Sequence, residues 1–187
     1  MPTDYFDRLY YCDKFQTYVN RIRPGTFESL NKKYEHPRLI IPFYDVDNQV
    51  FAIQGRAFGK EQPKYLTIKL QENKQKIFGL ERINLHKRLY IVEGPLDSLF
   101  LDNCLAAGGA DLQLPVDKKD VVFIFDNEPR NKEIIDRMYK MIEKDYMIVI
   151  WPEGQKEKDI NEMIINGKTK EQVLSLIHIS EPTRQSL

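Results

Sequence analysis

VVFIFDNEPRNKE, residues 121–133, decides how the rest of the chain is read. Five apolar residues, Val121 to Phe125, run without polar alternation into Asp126, Asn127 and Glu128. A strand buried on both faces has that pattern, and such strands belong to parallel sheets covered by helices. In open sheets of this kind, ligands sit beyond the carboxyl ends of the strands. Two carboxylates one residue apart at such an end therefore point to a site.

Neighbouring segments share the texture. RLYIVEG, residues 88–94, ends at Glu93, with Asp97 one helical turn further on in PLDSLFLDN. YMIVIWP, residues 146–152, leads through a short loop to Asp159. CLAAGGA reads as a short strand with a turn at Gly108-Gly109. Arg130–Asp145 places Ile134, Ile135, Met138, Met141 and Ile142 on one helical face. Asp159–Asn166 reads as a helix stopped by Gly167. Alternating strands and helices predict a mostly parallel sheet with helices on both faces.

If strands 88–93, 121–126 and 146–151 are parallel neighbours, Glu93, Asp97, Asp126, Glu128 and Asp159 converge on one crevice. Two carboxylates about 4 Å apart repel by roughly 4 kcal/mol at an effective dielectric near 20. Protonation, local pairing with Arg130 or Lys158, or a divalent cation would relieve this. An all-oxygen donor set suits Mg2+ or Mn2+. Cys12 and Cys104 cannot make a zinc site alone and read as two reduced thiols. Asp97 could also cap its own helix near Ser98, and Asp159 stands where an N-cap would.

The upstream half differs. Residues 1–90 hold 16 Lys/Arg against 10 Asp/Glu, so the basic charge lies on the opposite half from the acids. That asymmetry suits a chain gripping a polyanion with one part and a metal with another. RLIIPFYDVDNQVFAIQGRAF predicts two strands, Leu39–Tyr44 and Val50–Arg56, around a turn, and KYLTIKL a third. Tyr5, Leu9, Cys12, Phe15 and Val19 recur at helical steps, predicting one amphipathic helix ended by Pro24-Gly25; Phe27–Tyr34 is a second short helix. No apolar run is long enough to span a membrane, and no secretory signal opens the chain.

The order Glu93-Gly-x-x-Asp97, an apolar strand ending D-x-E, then a later acid, resembles the Toprim domain. The departure is Asp126-Asn127-Glu128 where that family commonly has D-x-D. RLIIPFYDVDNQVFAIQGRAFGKEQPKYL and KIFGLERI resemble the segment preceding Toprim in DnaG-type primases. IVEGPLDSLFLDN, FDNEPRNKE and IWPEGQKEKDINEMI resemble the primases of T-even-type bacteriophages more closely still. The resemblance covers roughly residues 37–170.

It implies an α/β fold, a Toprim-type mostly parallel sheet preceded by a smaller mixed α+β basic subdomain. The expected division is a helical segment at 1–36, the basic subdomain at 37–87, Toprim at 88–173 and a foreign tail at 174–187. It implies a nucleotidyltransferase making short RNA primers on single-stranded DNA from ribonucleoside triphosphates, beside a replicative hexameric helicase, in the cytoplasm of an infected bacterium. Glu93, Asp126 and Glu128 are then the catalytic acids, and Asp97 and Asp159 further metal ligands. Arg38, Arg56, Lys64, Tyr65 and Lys76 are candidates to hold template or nucleotide. Gly55 is read as permitting close backbone approach. The zinc ribbon that precedes such cores has no cysteine set here, so Met1 is an internal or alternative start, or the ribbon lies elsewhere or is lacking. A Toprim nuclease and a non-catalytic single-strand-binding module are the competing readings; a topoisomerase would need a nucleophilic tyrosine in a further domain.

LSLIHISEPTR, Leu174–Arg184, resembles a translated sequencing adapter. The expectation is a native chain cut near Val173, with His178, Glu181 and Arg184 outside the site. The true tail, which in such primases meets the helicase, would then be missing. Lys170–Ile177 retains a helical pattern.

Overall fold

The computed structural model describes residues 3–28, 35–107 and 115–180. It divides into two compact units, residues 2–76 and 77–187. The sequence drew that boundary at 87/88; Ile77, Leu80 and Ile83 instead pack into the core of the second unit.

The first unit is a four-stranded antiparallel sheet, ordered β1 (Tyr10–Cys12), β2 (Arg38–Tyr44), β3 (Val50–Ala57), β4 (Tyr65–Lys69). Helix α1 (Phe15–Ile22) buries Phe15 and Val19 among Ile40, Ile53 and Ile68. Each large apolar side chain so buried contributes about 1.5–3 kcal/mol. Gly55 lies opposite Ile40 and Leu66, and a Cβ there would fall 2.4 Å from the Phe15 ring. The close approach expected at this glycine is thus an aromatic ring seated on bare backbone.

The single long N-terminal helix does not form. Thr3–Arg8 is a 3-10 turn, Tyr10–Cys12 pairs with β2, and only Phe15–Ile22 is α-helical. The edge of β2 offers Tyr10–Cys12 ladder hydrogen bonds, and only Phe15 and Val19 have a sheet face to cover. Tertiary pairing overrides the local period at Cys12, which lies in β1, while Phe15 and Val19 keep it in α1. Most of the predicted helix at Phe27–Tyr34 lies outside the described residues.

The second unit has a five-stranded sheet, ordered β6 (Cys104–Ala106), β5 (Leu89–Val92), β7 (Val121–Phe123), β8 (Met147–Ile150), β9 (His178–Ser180). The first four strands are parallel, and β9 runs antiparallel to β8. α3 (Lys132–Glu143) packs Ile134, Met138 and Ile142 over Ile91, Phe123 and Ile148. α2 (Pro95–Ser98), α4 (Ile160–Ile165) and α5 (Lys170–Leu176) are the other flanking helices. PLDSLFLDN thus makes only one α-helical turn. The chain passes from β5 to β6 on one side, then returns to place β7 on the other side of β5. That reversal opens a crevice at the carboxyl ends of β5 and β7. Residues 174–180, expected to be foreign, finish α5 and form β9. The Gly108-Gly109 turn lies outside the described residues. Among these residues no helix is long and apolar enough to cross a membrane, and Cys12 and Cys104 are both free thiols.

Candidate active site

β5 ends at Val92, so Glu93 emerges directly at the crevice. Gly94 follows because the chain turns back there: a Cβ would lie 2.4 Å from Asp97 Oδ2. Pro95 opens α2 with a preset φ, and the turn brings Asp97 back beside the strand end. Ser98 is fully buried; its hydroxyl donates to the Pro95 carbonyl at 2.7 Å and accepts from Arg82 at 2.6 Å. Arg82, in the KIFGLERI segment, therefore braces the turn that carries Asp97.

Asp97 is not the cap of α2: the N-cap is Gly94, with no side-chain cap hydrogen bond. Asp97 Oδ1 accepts the Asn161 N–H of α4 at 2.8 Å. Asp159 caps α4 by accepting the Glu162 N–H at 2.7 Å, as its position suggested. A small cleft gathers Asp97, Asp126 and Asp159 with Val92, Ile124 and Trp151. The Trp151 indole donates to the Phe125 carbonyl at 2.8 Å, fixing the wall of that cleft.

Glu93 leans toward α3. Its Oε1 is 2.9 Å from Arg137 Nη1, yet no donor is aligned to hydrogen-bond that oxygen. Lys158 Nζ contacts Glu128 Oε1 and lies 3.5 Å from Asp126 Oδ2. Asn131 donates to the other Glu128 oxygen. The local pairing considered for Lys158 is thus present. Arg130 is exposed. Arg137 was not singled out from sequence; its only signal was a charge on the sheet-facing side of a helix, beside Met138.

Burial and mutual repulsion act on these acids together. Burial raises the Glu93 carboxyl, against the pull of Arg137. Burial, with the neighbouring Asp159, pushes Asp97 up to about 7. Burial also raises Asp126, partly offset by Lys158. Glu128 is lowered, because Lys158 and Asn131 both donate to it. Three acids are therefore under-compensated, which is the condition a divalent cation relieves.

The five acids do not share one crevice as expected: Asp97, Asp126 and Asp159 line the small cleft, Glu93 turns to Arg137, and Glu128 faces Lys158 and Asn131. Among the described residues no three His, Cys, Asp or Glu side chains form a ready-made metal cage. The protein's own cations, Arg137 and Lys158, stand against the acids instead. The donors are all oxygens, and Glu93, Asp97 and Asp126 are short of positive charge, a set whose chemistry suits a hard divalent cation.

In the first unit, Arg56 and Tyr65 are opposite residues on β3 and β4, and Tyr11 and Leu39 continue the same cross-strand row. Arg56 Nε lies 3.2 Å from the Tyr65 hydroxyl, and Lys64 sits over the Tyr65 ring. Tyr65 is 40% exposed, so it is no core residue. Lys64 and Lys76 are exposed too. Arg38 is different: it is buried, and Nη1 donates to the carbonyls of Gly55 and Pro63, each at 3.0 Å. Its geometry is that of a brace beneath the sheet's surface.

No protein-family model matches the chain. Among solved structures it is similar to the zinc-binding and RNA polymerase domains of the Aquifex aeolicus primase, with a TM-score of 0.66 and 20% identity, over 96% of this chain and 54% of that one. It is also similar to a DnaG primase catalytic domain bound to ssDNA, with a TM-score of 0.54 and 18% identity, over 74% of this chain and 50% of that one. The fold is therefore that of DnaG-type primase catalytic domains. By sequence the chain is 37% identical, over 179 residues and 93% of its length, to the DNA primase of Enterobacteria phage T4. In sequence the chain is thus similar to a phage DNA primase and in fold to DnaG-type catalytic domains; it spans about half, 51%, of the phage protein's length.

Proposed function

We propose that this chain is the catalytic core of a DNA primase, a nucleotidyltransferase making short RNA primers on single-stranded DNA from ribonucleoside triphosphates. The observation that carries the reading is the row of under-compensated acids at the β5/β7 crevice, in a relative of the phage T4 primase. Asp126 and Glu128 would hold Mg2+ or Mn2+, with Asp97, Asp159 and Glu93 around them. The bound ion would neutralise triphosphate charge and stabilise the attacking and leaving oxygens.

The chain's own groups supply the rest. Burial keeps Glu93 a better proton acceptor than an ordinary carboxylate, suiting it to take the proton of a 3′-hydroxyl. Arg137 fixes the carboxylate's direction from α3. Asp97, tied to Asn161, holds α4 and with it Asp159 against the strand ends. Arg56 and Lys64 offer phosphate contacts, and the exposed Tyr65 ring offers a base a stacking surface. Lys76, exposed in the same unit, is a further candidate contact. That chemistry suits a single-stranded template, and one structural neighbour was solved with ssDNA. A replicative helicase as partner, and the cytoplasm of an infected bacterium as the place of action, extend the phage kinship.

Incubation with a single-stranded template, labelled ribonucleotides and Mg2+ is expected to yield short oligonucleotides. The Asp126→Asn, Glu128→Gln double variant should lose at least about 100-fold in rate while keeping its circular dichroism. Undiminished product would remove the metal assignment. Nicking of DNA without nucleotides would make the chain a nuclease instead.

A further inference from the structure

We infer that Lys158 is a tethered counter-ion of the Asp126–Glu128 pair, and that a divalent cation binds these acids by displacing its ammonium group. The inference rests on the metal reading above and goes beyond it.

Lys158 is the cation shared by the two acids. Its Nζ contacts Glu128 and lies 3.5 Å from Asp126. Half of its side chain is exposed, yet its backbone is held on both sides. Its N–H donates to Glu162 Oε2 at 2.6 Å, and its carbonyl accepts the Asn127 N–H at 2.6 Å. The Asn127 side chain then donates to the carbonyls of Gln155 and Glu157, at 2.8 and 3.1 Å. So the residue between the two acids clamps the loop that delivers the lysine to them. Directly after it, Asp159 caps α4 and closes the loop's other end.

The neighbouring charge is already matched elsewhere. Glu157 is paired with Lys168 at 2.7 Å, which leaves Lys158 to Asp126 and Glu128. Lysine carries a compact point charge on a flexible stem, so it can withdraw without disturbing the loop. A divalent ion wants the same oxygens and carries twice the charge. The two cations repel at that separation, so they exclude one another from the pair. An ordinary surface ion pair of this exposure would have little influence on metal affinity.

Metal binding without DNA or nucleotide tests this. Trp151, the chain's sole tryptophan, lines the cleft holding Asp97, Asp126 and Asp159. It should sensitise Tb3+ luminescence, and Mn2+ competition then gives an apparent Kd. Lys158→Gln should tighten Mn2+ binding about tenfold, the scale of one neighbouring charge. Lys158→Arg should stay near wild type. Lys156→Gln, which removes the same charge from the exposed lysine two residues away, should tighten it no more than about twofold. Equal effects of Lys158→Gln and Lys156→Gln, or weaker binding by Lys158→Gln, would overturn the inference. Asp126→Asn distinguishes the failures. If it abolishes the signal while Lys158→Gln changes nothing, only the counter-ion role falls; if it leaves the signal intact, the metal reading falls with it.

Discussion

Arg38 in the first unit and Asp97 in the second are both charged groups taken largely out of water, and the fold treats them in opposite ways. The Arg38 guanidinium meets backbone carbonyls and the Phe15 ring, so its charge is solvated by the protein. Asp97 meets one N–H and two further acids, and burial holds its proton on up to about 7. Buried charge in the antiparallel sheet is satisfied and serves architecture. At the ends of the parallel strands it is left short of a partner, which a fold tolerates where a ligand completes it.

The largest effect should come from breaking the satisfied side of this contrast. Arg38→Met leaves the Gly55 and Pro63 carbonyls without their donor, and should cost about 3–5 kcal/mol in urea denaturation. A loss below about 1 kcal/mol would mean that water reaches those carbonyls and the charge is not structural.

The second effect has the opposite sign. The Asp97 pKa is raised from 3.8 to about 7 in the folded chain, so folding takes up a proton between these values. Stability is therefore lost as pH rises from about 4 toward 7. Asp97→Asn keeps an acceptor for the Asn161 N–H and removes the charge. In EDTA it should stabilise the chain by about 4 kcal/mol at pH 8 and by almost nothing at pH 4. A destabilising effect at pH 8 would place Asp97 among the satisfied charges, beside Arg38.

The smallest effect sets the baseline for both. Arg23 and Glu72 form an ion pair 2.8 Å apart, with side chains 45% and 68% exposed. A double-mutant cycle on this pair should give a coupling below about 1 kcal/mol, falling further in 0.5 M salt. A larger value would show that surface charge in the first unit also carries structure.

Much of the site was legible along the chain. Uninterrupted apolar runs mark strands covered on both faces, and an acid following each run falls at its carboxyl end by chain direction alone. Glu93 and Asp126 are placed by that logic, and Asp159 by its position as the N-cap of α4. The period of Arg130–Asp145 likewise gave α3, shortened by two residues at each end. The N-terminal aromatics misled because a 3.6-residue period competes with ladder pairing on an open edge strand, and a short strand can win that competition. Arg137, Arg82 and Asn127 escaped notice because nothing in a charged or amide side chain's own neighbourhood shows what it will meet far along the chain.

The sequence by itself determined the strand and helix alternation, the acids at the strand ends and the basic half preceding them, because these depend on local periodicity and chain direction. Only the tertiary structure decided that β7 lies beside β5 and across from β6, and that Lys158 and Arg137 stand among the acids. Strand order and charge pairing depend on burying apolar faces between segments far apart in the chain, and that balance is struck only when the whole sheet closes.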